Sequence, residues 1–240
     1  MTLREQLEQG RALRGPFCGL PSPDTVEVIC AAGPDFVCFD GEHSAIRGAA
    51  LTNMLRAAAC HRIPAIVRVP DGLPHIVAEI LDAGAAGILV PRVSDVAAAR
   101  AAVSASRFPP VGERGVGPGR VAGYGYNIGP MMSAAPPLVG VQIETIEAVE
   151  AAADILAVEG IDFALIGPGD LGVSLAASGV DEDLDTLIDR IFEVAKKLDM
   201  PCGIFAPDRE KALAEASRAQ LVIQGSDAML LHAAARAAFG

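Results

Sequence analysis

The chain has 240 residues, 51% of them hydrophobic and 20% charged, with a formal net charge of −11 at pH 7. That length suits one large α/β domain with a sizeable core, and an acidic surface without a basic block disfavours nucleic acid and anionic membranes as partners. No run of about 18 apolar residues is free of charge, so no membrane-crossing helix is expected; the start Met1-Thr-Leu-Arg-Glu-Gln-Leu-Glu lacks an apolar signal core, which points to the cytoplasm.

In chain order, a short helix at 2–9 precedes eight strand candidates, at 17–20, 36–40, 64–69, 87–90, 138–143, 162–166, 201–205 and 221–224. Helical patterns fall at 23–32, 47–60, 74–83, 94–105, 146–158, 184–198, 208–217 and 226–238. Ser22-Pro23 supplies an N-cap with proline at the first helical position, and Pro74 opens another helix. Ser94, Asp208 and Ser226 are N-cap candidates, while Gly84 and Gly160 stand where C-caps belong. Runs such as Gly87-Ile-Leu-Val lack alternation, as strands do when covered on both faces of a parallel sheet. Eight strand–helix units without a break in composition favour a single (β/α)8 TIM barrel, α/β in class, as one domain over 1–240. A doubly wound open sheet is the alternative, because periodicity carries no information on closure.

The stretch 109–137 breaks the rhythm. It is rich in Gly and Pro and holds Arg114, Arg120 and both tyrosines. It reads as a mobile loop over the strand C-termini, with a plain surface excursion as the alternative. The five cysteines, Cys18, Cys30, Cys38, Cys60 and Cys202, are odd in number and unpaired in spacing. They read as buried structural thiols in a reducing compartment.

Several chemically capable residues stand at or just past strand ends, where ligands of parallel α/β proteins bind. Glu144 and Asp170 close successive strands. Two carboxylates without cysteine or spaced histidine suit a hard ion, Mg²⁺ or Mn²⁺, while a helix cap and a salt bridge are the alternative roles. Arg68 ends an apolar strand and needs an anionic partner. That partner is either Glu144 or a bound carboxylate or enolate. Asp40 and His43 form a possible acid–base dyad, with Asp40 fixing the imidazole tautomer. The backbone of Gly167-Pro168-Gly169-Asp170 offers N–H groups to an anion. His61, His75 and His232 read as surface or packing residues. The only lysines, Lys196, Lys197 and Lys211, lie in late helices, so a Schiff-base mechanism is disfavoured.

Six segments carry a resemblance in order along the chain. They are Phe-Asp-Gly-Glu-His, Val-Arg-Val-Pro, Leu-Asp-Ala-Gly-Ala-Ala-Gly-Ile-Leu-Val-Pro, Arg-Phe-Pro-Pro-Val-Gly-Glu-Arg-Gly-Val-Gly, Val-Gln-Ile-Glu-Thr and Ile-Gly-Pro-Gly-Asp-Leu. Together they resemble the HpcH/HpaI family of metal-dependent pyruvate aldolases over roughly 15–225. The resemblance implies a TIM barrel that cleaves 4-hydroxy-2-oxo acids to pyruvate and an aldehyde through a metal-bound pyruvate enolate. It implies Glu144 and Asp170 as ligands of a divalent cation (Mg²⁺ or Mn²⁺, with Co²⁺ a further candidate) and Arg68 on the pyruvate oxygen. Asp40 and His43 match the acid–base dyad, and Gln142 a polar residue beside the metal. Gly169 and Asp170 match backbone donors to the pyruvate carboxylate. Asp82 matches an acid that reaches a neighbouring subunit's site in a homohexamer. Gly169 replaces the family's usual alanine, and the segment after Tyr126 is shorter. A metal-enolate lyase of acyl-CoA thioesters or a 2-oxo diacid decarboxylase is the sibling reading, and a non-catalytic ligand-binding barrel the more distant one.

Overall fold

The computed structural model describes residues 1–240. Its strands are β1 (Leu13–Cys18), β2 (Val37–Asp40), β3 (Ala65–Arg68), β4 (Gly87–Val90), β5 (Leu138–Ile143), β6 (Phe163–Ile166), β7 (Cys202–Ala206) and β8 (Leu221–Ser226). All pair in parallel, and β8 returns to β1, so the sheet is a closed barrel. The helices are α1 (Leu3–Glu8), α2 (Pro23–Ala31), α3 (Gly48–Cys60), α4 (Pro74–Asp82), α5 (Val96–Ser106) and α6 (Ile128–Ser133). They continue with α7 (Ile146–Glu150), α8 (Ala152–Leu156), α9 (Pro168–Ser178), α10 (Leu184–Lys197), α11 (Arg209–Glu215) and α12 (Asp227–Phe239). No helix is long and apolar enough to cross a membrane.

Strand parity divides the interior in two. Val37, Phe39, Val67, Ile88, Val139 and Ile166 face outward into a core shared with the helices. Leu13, Cys38, Ile66, Leu89, Phe163, Leu165 and Ile223 face inward and fill the barrel. Side chains alternate along a strand, so Asp40 and Arg68 continue the inward rows of Cys38 and Ile66 at the barrel's C-terminal rim. Gln142 and Glu144 likewise continue the row of Leu138. The rim is polar because the apolar filling stops one layer below it.

Some expectations need correction. The first strand is Leu13–Cys18 rather than 17–20, because Arg14 and Pro16 hide its alternation. Pro16 lacks an N–H, and the register against β8 shifts between Gly15 and Phe17. The 94–105 helix is capped by Asp95 rather than Ser94; its carboxylate accepts the Ala98 N–H at 2.8 Å. The 146–158 pattern divides at Ala151 into α7 and α8. The small residues after Gly167 form a full helix, α9, closed by left-handed Gly179. Four cysteines are buried, but Cys60, at the end of α3, is exposed.

The largest correction concerns 109–137. This segment joins the end of α5 to the start of β5, so it lies at the N-terminal face of the barrel, opposite the strand C-termini. Arginines fasten it there. Arg114 pairs with Asp82 at 2.7 Å, Arg120 donates to the carbonyl of Ala83 at 3.0 Å, and Arg56 reaches the Tyr124 hydroxyl at 3.3 Å. Arg107 anchors the segment's edges, donating to the carbonyls of Pro137 at 2.8 Å and Gly160 at 3.1 Å and to Asp162 at 3.3 Å. Asp162 also takes Arg4 at 2.5 Å and the Val139 N–H at 2.8 Å. Arg107→Ala is expected to cost about 3 kcal/mol, the range for breaking a buried ion pair. A lower urea midpoint with an unchanged slope would register it; an unmoved midpoint would show that these contacts are dispensable.

Candidate active site

β2 and β3 place Asp40 directly beside Arg68 in register. Arg68 forks onto the carboxylate, Nε to Oδ1 at 3.0 Å and Nη2 to Oδ2 at 2.8 Å. Both residues are buried. The guanidinium lies 4.3 Å from the centroid of the Phe17 ring, which shields its other face. Burial works to raise the Asp40 carboxyl, but the Arg68 fork and the N–H groups of His43 and Glu42 outweigh it and hold it below the ordinary carboxylate value. A depressed carboxylate adds stability above its unfolded-state pKa and loses it as the pH falls through the folded value, so this pair is intact at neutral pH.

The Arg68–Glu144 pair, one of the two alternatives for Arg68, does not form; the partners of Arg68 are Asp40 and Glu42. Glu144 follows β5, away from β2 and β3, and Asp40 has already taken the guanidinium. Nor does the Asp40 carboxylate touch the His43 imidazole. Its Oδ1 instead accepts the backbone N–H groups of Glu42 at 3.0 Å and His43 at 3.2 Å, which curls the loop after β2. That curl turns Glu42 inward, with its Oε2 3.3 Å from Arg68 Nη1 and 3.6 Å from His43 Nε2. Glu42 is therefore the acid beside the imidazole. It stands within Asp-Gly-Glu-His, one residue from His43, and its capacity was legible there; its orientation depends on the turn. The His43 ring is mostly exposed at the rim.

Glu144 is 1% exposed. Its Oε1 accepts the Arg92 N–H at 2.7 Å, and its Oε2 accepts from Gln142 Nε2. Burial pushes the Glu144 carboxyl up to about 7; the Arg92 N–H opposes that, and the charges of Glu42 and Asp170 add to it. Asp170 is exposed in the first turn of α9. Gly167 is what lets these groups meet. A Cβ there would lie 2.7 Å from Glu144 Oε2 and 2.8 Å from Gln142 Nε2. Gly169 has open space above it, and the first-turn N–H groups of α9 face outward with the positive end of the helix dipole.

The rim thus gathers Asp40, Glu42, His43, Arg68, Gln142, Glu144 and the start of α9. Two buried oxygens among them, Glu42 Oε2 and Gln142 Oε1, have no hydrogen-bond donor. Glu42 Oε2 already has the Arg68 charge 3.3 Å away; Gln142 Oε1 is the one that a cation, or a donor on a ligand, would satisfy. Asp82 is the one expected site residue that lies elsewhere. It ends α4 on the N-terminal face, where it holds Arg114.

The chain is similar to known proteins over nearly its whole length. It is 33% identical over 240 residues to a hydroxypyruvate/pyruvate aldolase of Delftia acidovorans, covering 98% of this chain and 89% of that one. It is 36% identical over 185 residues to a 4-hydroxy-2-oxovalerate aldolase of Novosphingobium aromaticivorans, covering 75% and 71%. A solved HpcH/HpaI aldolase/citrate lyase family protein from Burkholderia cenocepacia superposes with a TM-score of 0.92 at 32% identity, covering 98% and 96%. The profile of that family matches residues 14–234, from the first strand into the last helix. This barrel therefore belongs to the HpcH/HpaI aldolase/citrate lyase family of carbon–carbon lyases.

Proposed function

We propose that this protein reversibly cleaves 4-hydroxy-2-oxo acids to pyruvate and an aldehyde, with a divalent cation, Mg²⁺ or Mn²⁺, at Glu144 and Asp170. The observation that carries the reading is the placement of a forked, ring-shielded Arg68 on the same rim as a buried Glu144 that has no cationic partner. A carboxylate pushed up by burial and by neighbouring negative charge is one that a cation would relieve. The chain has no cluster of three metal-ligating side chains. A bound ion would take most of its shell from water and substrate oxygens, as Mg²⁺ does. Its contribution would be Lewis-acid polarisation of the 2-oxo group.

The protein's own groups supply the rest. The N–H groups of Gly169 and Asp170 receive the substrate carboxylate at the start of α9. Gln142 Oε1 offers an acceptor beside Glu144. Arg68 faces the oxygen on which negative charge develops, held in place by Asp40 before substrate arrives. His43 takes the proton from the 4-hydroxyl; the C3–C4 bond breaks, its electron pair stays with the pyruvate enolate, and the aldehyde leaves. Asp40 acts in this scheme by positioning, through Arg68 and through the backbone N–H of His43, while Glu42 Oε2 stands 3.6 Å from the imidazole Nε2.

Chelation is expected to abolish pyruvate release from a panel of 4-hydroxy-2-oxo acids, and Mg²⁺ or Mn²⁺ to restore it. Undiminished cleavage in EDTA would sink the metal assignment. Arg68→Ala is expected to lose on the order of 10²–10³ in turnover, the usual cost of removing an oxyanion stabiliser. His43→Ala is expected to lower kcat with little change in KM. Wild-type cleavage by that variant would remove His43 from the proton path.

The same reading includes a homohexamer. Within α12 only Asp227 is buried, while Met229, Leu230, Leu231 and Phe239 are all exposed. A helix this apolar needs a surface to cover, and a second copy of the barrel fits that need. Asp82, at the opposite end of the barrel from its own rim, would then serve a neighbour's site. Light scattering after size exclusion is expected to give a mass near six chains; a fully active monomer at assay dilution would overturn both the assembly and the role of Asp82.

A further inference from the structure

Between α1 and the segment that joins α5 to β5 lies a cavity of about 600 Å³. It opens on the N-terminal face of the barrel, opposite the rim that holds Arg68 and Glu144, and its volume is within the range of small-molecule pockets. Leu81, Phe108 and Met131 belong to its largely apolar wall. Its charged lining has one sign. Of the 20 residues around it, three are arginines, Arg4, Arg107 and Arg114, and none is acidic. The chain as a whole carries −11, so this gathering of positive charge runs against its composition. A cleft with charge of one sign and low-dielectric walls focuses its field on whatever enters.

The counter-charges do not balance. Asp162 serves both Arg4, at 2.5 Å, and Arg107, at 3.3 Å, while Asp82 serves Arg114 at 2.7 Å. Three guanidinium groups thus share two carboxylates, neither of which lines the cavity. Burial works against the Arg107 charge, Asp162 supports it, and the charges of Arg4 and Arg114 oppose it; its pKa falls below the ordinary arginine value. Arg114 is 5% exposed, and its Nε has no acceptor. A surplus positive charge and a buried N–H without an acceptor are what one carboxylate would satisfy together.

We propose that this cavity is a binding site for a monocarboxylic acid with an apolar body, its carboxylate beside the three arginines and its body along Leu81, Phe108 and Met131. The site is separate from the rim, involves no covalent step and does not depend on the aldolase reading.

Isothermal titration calorimetry of the full chain in its native assembly, with octanoate, octanol and acetate as probes, tests both halves of the ligand. Octanoate is expected to bind saturably at millimolar concentration or below, with one site per chain. Octanol is expected to bind on the order of 10- to 100-fold more weakly, the range for a lost charge-assisted hydrogen bond. Acetate, which keeps the charge and lacks the body, is expected to bind more weakly still. Arg4→Gln removes the surplus charge and leaves an amide beside Asp162. It is expected to weaken octanoate about 10-fold or more and to leave octanol unmoved, which a collapsed cavity would not do; Arg4→Lys is expected to recover part of the loss. Pyruvate with Mg²⁺ is expected not to compete. The assignment is overturned by the absence of saturable octanoate binding, by equal affinity for octanol, or by unchanged octanoate affinity in Arg4→Gln. Competition by pyruvate would also overturn it, by placing octanoate at the rim.

Discussion

The fork of Arg68 on Asp40 is the contact on which the rim depends. A guanidinium and a carboxylate are both taken out of water at the top of the barrel, which is tolerable only with good geometry and satisfied lone pairs. The structure supplies both. Register aligns the two strands, the Phe17 ring covers one face of the guanidinium, and two backbone N–H groups add to the Arg68 bond on Asp40 Oδ1. Because those N–H groups belong to Glu42 and His43, the same carboxylate that holds Arg68 also shapes the loop carrying the other polar groups. Removing Asp40 would disorganise three residues at once, by one mechanism.

Two strands round the barrel, at the end of β5, the logic is reversed. Glu144 is buried with one N–H on each oxygen, from Arg92 and Gln142, and lies near the charges of Glu42 and Asp170 with no cation beside it. Burial of a carboxylate without a counter-charge is ordinarily selected against; here the absence of a side chain at Gly167 makes room for it. Arg68 and Asp40 thus satisfy one another, whereas Glu144 has hydrogen bonds but no cationic partner within the protein. That asymmetry fits a site that keeps its cationic group fixed while a ligand is exchanged at its acidic one.

The barrel was legible in the sequence because eight apolar runs and their turn residues repeat with little interruption, and because inward parity puts Asp40, Arg68, Gln142 and Glu144 in corresponding positions. What was not legible follows from geometry that periodicity does not encode. The pairing of Arg68 with Asp40 rather than Glu144 depends on which strands are neighbours. The inward turn of Glu42 depends on two backbone hydrogen bonds to a side chain. The first strand was displaced by a proline within it, and α9 was obscured by glycines and serines whose helical propensity is low. The glycine-rich stretch drew attention as a rim loop by composition alone, although its place between a helix and the next strand assigns it to the opposite face.

That stretch has an optical consequence. The chain contains no tryptophan and two tyrosines, and both tyrosines, Tyr124 and Tyr126, stand exposed on the N-terminal face, 63% and 92% accessible. Its near-ultraviolet emission therefore originates almost wholly from one patch of surface. A spectroscopist following this protein would be watching whatever approaches that face, with the chemistry at the opposite rim dark.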